Sequence, residues 1–291
     1  MNCIDCPRKC NVNRAEKQGF CHSPNELRLA RASLHFWEEP CISGKHGSGA
    51  VFFSGCNLKC VYCQNYEISR ENKGQEITPD KLLDIFKSLK EQGAHNINLV
   101  NPTHYARALV PVLEKWKNEL PVVYNTSGYE SAQTLKMLDG LVDIYLPDFK
   151  YIRSEKAKKY SAAENYPEIA MQALSEMRKQ QKQDIFDENG IMQRGMIIRH
   201  LILPSNTNSS LEIIDYIADN FGDTYLSLMA QYVPCGDLSA ATEINRKITK
   251  REYEKVINYA LNKGLDRLFI QELCSADKKF IPKFDFSGII C

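Results

Sequence analysis

The stretch FFSGCNLKCVYCQNYEIS, residues 52–69, sets Cys56, Cys60 and Cys63 within eight residues, directly behind a short apolar run. Residues 50–55, AVFFSG, read as a strand, so the cysteines follow its C-terminal end, where the active sites of α/β barrels gather. A cubane of iron and sulfide usually takes four thiolates. Three thiolates leave one iron without a protein ligand and open to an exogenous donor. A single zinc ion would instead need a fourth ligand, for which His22, His46 and Cys41 are the candidates.

Outward from this loop, apolar β-rich runs alternate with helical patterns. Strands are expected at 50–55, 96–103, 121–127, 142–148, 196–204 and 224–232. Helices are expected at about 79–92, 104–118, 130–139, 167–183, 208–219 and 249–263. Thr78 is placed to cap the helix that Pro79 opens. The alternation predicts βαβ units on a parallel sheet, with right-handed crossovers bringing all six strand C-termini to one face. The fold class is therefore α/β, and six units suit a partial (β/α)6 barrel, a smaller relative of the eightfold one. The pattern does not decide between that curved form and a flat doubly wound sheet. Residues 1–49 read as a Cys-rich, metal-binding N-terminal extension packed against the barrel, which occupies 50–291. Residues 149–195 form a long charged connection in which EMRKQQKQD reads as a solvated helix face.

Charge and cysteine usage set the outer limits. With 37 Lys and Arg against 36 Asp and Glu in 291 residues, there is no general electrostatic reason to expect nucleic acid or an anionic membrane as partner. The start, MNCIDCPRKC, has no apolar core of a signal peptide, and no segment is long enough to span a bilayer. A cytoplasmic location is the expectation. Eleven cysteines, an odd count in a chain of this size, do not read as a secreted disulfide framework. Cys3, Cys6, Cys10 and Cys21 follow C-x2-C-x3-C-x10-C, four thiolates that suit either a closed tetrahedral zinc site or an auxiliary iron–sulfur cluster. Cys41, Cys235, Cys274 and Cys291 are scattered.

C-x3-C-x2-C with an aromatic residue, Tyr62, before the last cysteine resembles the radical S-adenosylmethionine (SAM) superfamily. The resemblance implies that Cys56, Cys60 and Cys63 hold a 4Fe-4S cluster whose fourth iron is chelated by the amino and carboxylate groups of SAM. An electron from the cluster then splits SAM into methionine and a 5′-deoxyadenosyl radical, which abstracts hydrogen from substrate. HFWEEPCISG (35–44), NINLVNPTHY (96–105), VDIYLPDFKY (142–151) and IIRHLILP (197–204) are similar to the branch named after pyruvate formate-lyase-activating enzymes. That likeness runs from the first cysteine cluster to about residue 272 and implies a partial (β/α)6 barrel.

Further cofactor-binding positions are implied one by one. Tyr62 belongs to the cysteine motif. Asn101, Pro102 and Thr103 stand where activating enzymes carry Gly-Gly-Glu for the SAM amino group. Asn125 and Thr126 of NTSGY stand where they carry Asp-Thr-x-Gly. Asp148 and Lys150 match an Asp-x-Lys motif that, with the preceding loop, binds SAM and a monovalent cation. Lys150 suits the SAM carboxylate as a charge-assisted donor, against the plainer reading of a surface Asp148–Lys150 ion pair. Arg199 matches an arginine on the SAM-binding face. Gln231 and Tyr232 stand at the place of a histidine that contacts the SAM ribose, to replace it or to face substrate. His200, one residue from Arg199, faces the other way as a packed histidine. His104 sits at a helix start, and Cys235 is either an inert thiol or a hydrogen donor.

Partners implied are SAM, a reductant such as flavodoxin or ferredoxin, and a protein substrate whose glycyl residue loses hydrogen. The missing Gly-Gly-Glu and histidine keep open a radical modification of a small molecule, peptide or nucleotide. A non-catalytic iron–sulfur protein for electron transfer or sensing is the alternative from another class. Tyr62, Lys150 and Arg199 argue against it, because electron transfer alone needs no SAM-binding groups.

Overall fold

Apolar β-rich runs, each followed by a helix with one apolar face, build the centre of the computed structural model, which describes residues 2–277 and 282–289. Cys291 lies outside the described residues. The first half runs β1 (Leu27–His35), α1 (Pro40–Ser43), β2 (Ser48–Phe53), α2 (Tyr66–Ser69), β3 (Gln75–Ile77), α3 (Pro79–Glu91), β4 (Ile97–Val100), α4 (Ala106–Trp116), β5 (Val122–Thr126) and α5 (Ala132–Met137). The second runs β6 (Ile144–Pro147), α6 (Ser154–Ser161), α7 (Tyr166–Gln180), β7 (Ile185–Phe186), β8 (Met192–Leu201), α8 (Thr207–Phe221), β9 (Tyr225–Met229), α9 (Lys250–Asn262) and β10 (Leu268–Ile270).

The six expected strands are β2, β4, β5, β6, β8 and β9. They lie side by side in that order, all parallel. A doubly wound sheet reverses its strand order at a switch point, and this one does not. Every crossover therefore steps the same way, and α3, α4, α5 and α7 pack in succession along the sheet. The result is the partial barrel rather than the flat alternative. β10 adds a further parallel strand beside β9. At the opposite edge β1 pairs antiparallel with β2, and β3 with β1. Residues 27–35 of the N-terminal segment thus belong to the sheet itself, because LRLARASLH buries Leu27, Leu29, Ala30 and Ala32 there.

Local signals are met where they are strongest. Thr78 accepts a hydrogen bond from the Lys81 amide at 3.2 Å, with Pro79 in the first turn of α3. In the charged connection, α7 is solvated on one side only, since Ala170, Ala173, Leu174 and Met177 are buried. Among the described residues no helix is long and apolar enough to cross a membrane.

Strand alternation divides the sheet into two faces. Val51, Phe53, Leu99, Tyr124, Tyr145, Ile198 and Leu228 join the main core with the helices. On the concave side Val123, Ile144, Leu146 and Ile197 form a separate apolar cluster with Cys41 and Ile42 of α1. In a closed barrel this interior is filled by layers of strand side chains. Here α1 plugs it, fixed by a hydrogen bond from Asn96 Nδ2 to the Ile42 carbonyl at 2.8 Å.

Candidate functional site

The C-terminal ends of β2, β4, β5, β6, β8 and β9 open on a cavity of about 250 Å³. Cys56, Cys60 and Cys63 line one side of it. The chain leaves β2 at Gly55, whose φ of +88° only glycine adopts readily. Asn101, itself at φ +57°, donates from Nδ2 to the Gly55 carbonyl at 2.8 Å and receives the Cys56 thiol at 3.7 Å. The Leu58 amide donates to Cys56 Sγ at 3.4 Å, and the Ser161 hydroxyl to Cys60 Sγ at 3.0 Å. Cys63 Sγ lies 3.1 Å from Ser69 Oγ. Every sulfur thus has a polar neighbour of the kind that stabilises a thiolate. Burial nevertheless pushes the bare Cys56 thiol up to about 12 and Cys63 up to about 11, so a bound metal must displace their protons.

Facing the cysteines is a buried charge network. Asp148 Oδ2 accepts from Lys150 Nζ at 2.5 Å, and Oδ1 from Arg199 Nε at 2.9 Å. Arg199 also donates to Glu38 Oε2 at 3.1 Å and to Asn125 Oδ1 at 2.6 Å. Glu38 Oε1 accepts from Asn98 at 3.0 Å and Asn125 at 3.1 Å. The side chains of Asp148 and Lys150 are each only 14% exposed, which replaces the surface-pair reading with a buried one. Burial alone would raise Asp148, but Arg199 and Lys150 hold its carboxyl below the usual range. Burial alone would lower Lys150, and Asp148 keeps it above its ordinary value. Each oxygen of Asp148 already faces a cation, so a monovalent cation beside it would meet Lys150 and Arg199.

Asn101, Asn125, Asp148, Lys150, Arg199 and Gln231 all line this cavity. Thr126 borders it, but its hydroxyl donates to Glu130. Thr103 is fully buried outside the lining, and its hydroxyl also goes to Glu130. The Tyr62 ring is buried edge-on against Tyr232, with its hydroxyl 2.5 Å from that of Tyr151. Tyr232 donates to the Ile244 carbonyl at 2.8 Å, inside the core. His200 is packed as expected, between the Phe149 carbonyl and Ser210. His104 is buried behind the cysteine loop, 2.7 Å from the Ser54 carbonyl. Cys235 reaches the Tyr62 carbonyl at 3.1 Å.

Glu38 is not among the residues the sequence points to, although HFWEEPCISG carries part of the likeness; its only signal is two adjacent acids before a proline, in a segment that reads as the extension. Ser127 was also missed. Its buried hydroxyl borders the cavity with no hydrogen-bond partner among the described residues.

Among the described residues, no group of three or more His, Cys, Asp or Glu is gathered so as to hold a metal ion. The fourth zinc ligands considered for the loop are elsewhere. Cys41 is in the concave plug, His46 sits against His95, and His22 is exposed. Cys56, Cys60 and Cys63, which line one cavity with Lys150 and Arg199, are the residues that would hold the family's 4Fe-4S cluster. At the N-terminus, Cys3, Cys6 and Cys21 are buried. Burial, with Cys21, Cys3 and Cys10 around it, pushes Cys6 up to about 12. The Phe20 amide donates to Cys10 Sγ at 3.3 Å.

Residues 50–217 match the Radical SAM superfamily. The uncharacterized protein MJ0674 of Methanocaldococcus jannaschii is 32% identical over 278 residues, covering 92% of this chain and 77% of that protein. SuiB of Streptococcus suis, in a crystal structure with its precursor peptide SuiA, aligns with a TM-score of 0.53 at 14% identity, over 76% of this chain and 48% of SuiB. SuiB has also been crystallised bound to S-adenosylmethionine. The FeFe-hydrogenase maturase HydG from Carboxydothermus hydrogenoformans aligns with a TM-score of 0.50 at 16% identity, over 80% of this chain and 56% of HydG. The chain therefore spans about half the length of these structural neighbours. The family match covers more than half of the residues and includes the three-cysteine loop: this protein belongs to the radical SAM superfamily.

Proposed function

We propose that the protein holds a 4Fe-4S cluster on Cys56, Cys60 and Cys63, binds SAM across the strand ends, and abstracts hydrogen from a glycyl residue of a partner protein. The observation that carries this reading is the three-thiol loop sharing one cavity with Lys150, Asp148 and Arg199. When bound, the cluster supplies the single electron that splits SAM into methionine and the 5′-deoxyadenosyl radical used for hydrogen abstraction. The chain's own residues bind and orient. Lys150 offers its ammonium to the SAM carboxylate. Asp148 keeps Lys150 and Arg199 charged and in place, while Glu38 and Asn125 hold the far side of the guanidinium. Asn101 fixes the turn into Cys56. Gln231 borders the side expected to receive the ribose, and Ser127 offers a free hydroxyl. The Cys3, Cys6, Cys10 and Cys21 set holds a second metal centre, zinc or an auxiliary cluster.

Anaerobic incubation with SAM and a strong reductant should release 5′-deoxyadenosine, and changing Cys56, Cys60 or Cys63 to Ala should abolish both this and most cluster absorbance. A single mutant that retains both refutes the cluster assignment. The substrate is tested by deuterium: a partner protein labelled at glycine should pass its label into 5′-deoxyadenosine. A second reading, radical modification of a small molecule or peptide, is favoured by Asn101 and Thr103. Their side chains are engaged by Gly55 and Glu130 at the place of the activating enzymes' Gly-Gly-Glu. Release of 5′-deoxyadenosine with no label from any glycine-labelled protein supports that reading over the first.

A further inference from the structure

The cavity measures about 250 Å³, below the roughly 300–1,000 Å³ of ordinary small-molecule sites. The proposed reaction brings SAM and a segment of a partner protein to this place, and the cavity has no room for both. Beside it, however, lies a groove that this chain fills with its own residues. Phe52, Ile68 and Val100 line the cavity. With Ala30 and Ala50 they also form an apolar cradle for Phe284. The Phe284 ring meets that of Phe52 edge-on, with centroids 5.6 Å apart. Pro282 of the same segment lines the cavity itself.

Residues 282–289 are held as an added strand would be. β3 covers the outer edge of β1 only at Leu27–Leu29. Past it, the Phe286 amide donates to the Ala30 carbonyl at 3.1 Å, and the Ala32 amide to the Ser287 carbonyl at 2.9 Å. Arg31 Nη1 donates to the Lys283 carbonyl at 2.9 Å and to Asp285 Oδ1 at 3.0 Å. At Gly288, with φ +73°, an added methyl group would collide with the Ala32 carbonyl oxygen, so only glycine fits. Ile289 is buried next to it in sequence. Main-chain bonds to a sheet edge, with pockets for chosen side chains, are how extended peptides are recognised. Releasing the segment leaves β1 paired with β2 and β3. We propose that this edge of β1 is the docking groove for the partner's extended segment, and that residues 282–289 occupy it until that segment displaces them. The partner sequence it fits has an aromatic residue, a glycine four positions later and then an apolar residue, as in Phe284, Gly288 and Ile289. This rests on the glycyl-residue reading above and adds to it the partner's recognition pattern.

The probe is a fluorescent peptide with the sequence of residues 282–289, PKFDFSGI, titrated into full-length chains and followed by anisotropy. It should bind the Phe284→Ala chain about tenfold more tightly than the unmutated chain, whose own segment competes better. Peptides carrying Phe284→Ala or Gly288→Ala should bind that variant about tenfold more weakly than the parent peptide. Equal affinity for both chains, or for all three peptides, overturns the groove. Hydrogen exchange reports the same edge directly. The Ala32 amide should exchange faster in full chains carrying Phe284→Ala or Gly288→Ala, and added peptide should restore its protection. Unchanged protection in both variants makes residues 282–289 a fixed part of the sheet and overturns the proposal. Faster exchange that the peptide does not reverse overturns it too. None of these measurements needs SAM, iron or reductant, so they stand apart from the reaction. Peptide binding, with no label passed from any glycine-labelled protein to 5′-deoxyadenosine, supports the groove and counts against the glycyl reading. Label transfer that excess peptide does not slow supports the glycyl reading and overturns the groove.

Discussion

At Asp148 two cations share one buried carboxylate, with Lys150 at 2.5 Å and Arg199 at 2.9 Å. Asp148→Asn would leave both cations without their shared counter-ion, Glu38 remaining bonded to Arg199. Breaking a buried pair in this way costs about 3 kcal/mol, which urea unfolding should register along with weaker SAM binding. A change below about 0.5 kcal/mol, the scale of an ordinary surface substitution, would mean that the network is solvated in solution. Glu130 gives a pH signature. Burial pushes its carboxyl up to about 7 against an ordinary 4.5, with Thr103 and Thr126 donating to it. The neutral form is the one the fold favours, so its contribution is complete below the ordinary value and is lost as pH rises toward 7. Relative to Glu130→Gln, the unmutated protein should lose roughly 3 kcal/mol across that window. Urea midpoints at pH 5 and pH 8 that shift in parallel for both proteins would refute this. The cysteines were legible because their chemistry is written in local spacing. Glu38 was not, because the guanidinium it supports lies 161 positions along the chain.

Among the elements, the six βα units could be read because each strand sits in a β-rich apolar run and each helix buries one stripe. β3, β7 and β10 span two or three residues, too few to carry a period. α6 was absorbed into the charged connection because its buried stripe is only Ala157, Tyr160 and Ser161 among three lysines. β1 alternates well enough, but its pairing with β2 is antiparallel at the edge of a parallel sheet, an arrangement that βαβ logic does not anticipate. The turn at the end of β2 is where element and site meet. Gly55→Ala would combine the cost of a left-handed residue, about 1–2 kcal/mol, with collision against Ser23 and the Cys21 carbonyl. Iron content at Cys56, Cys60 and Cys63 should fall, and amide protection at residues 20–25 should fall with it. Full iron loading with unchanged protection would show that the two segments move independently.

For the molecule as a whole, the sequence divided the chain at residue 49, and the structure joins what that division separated. Strand β1 belongs to the sheet, and α1 fills its concave side. Composition showed residues 1–49 to be distinct in cysteine and glycine, but it carried no sign that part of the segment fills an interior made by strands far downstream. A chain beginning at residue 50 should therefore lose cooperative unfolding in urea, with Val123, Ile144, Leu146 and Ile197 uncovered and binding a hydrophobic dye. A sharp transition with an unchanged slope would refute this, because the slope reports the surface exposed on unfolding. The plug also bears on the timing of synthesis. Residues 40–43 leave the ribosome well ahead of the walls around them, which are complete only when β8, starting at Met192, has been made. At 5–20 residues per second that delay is roughly 8–30 s. Throughout it Cys41 and Ile42 lack the strands that cover them in the folded chain, open to chaperones or to neighbouring chains, and the centre of the molecule closes around a segment translated long before its walls.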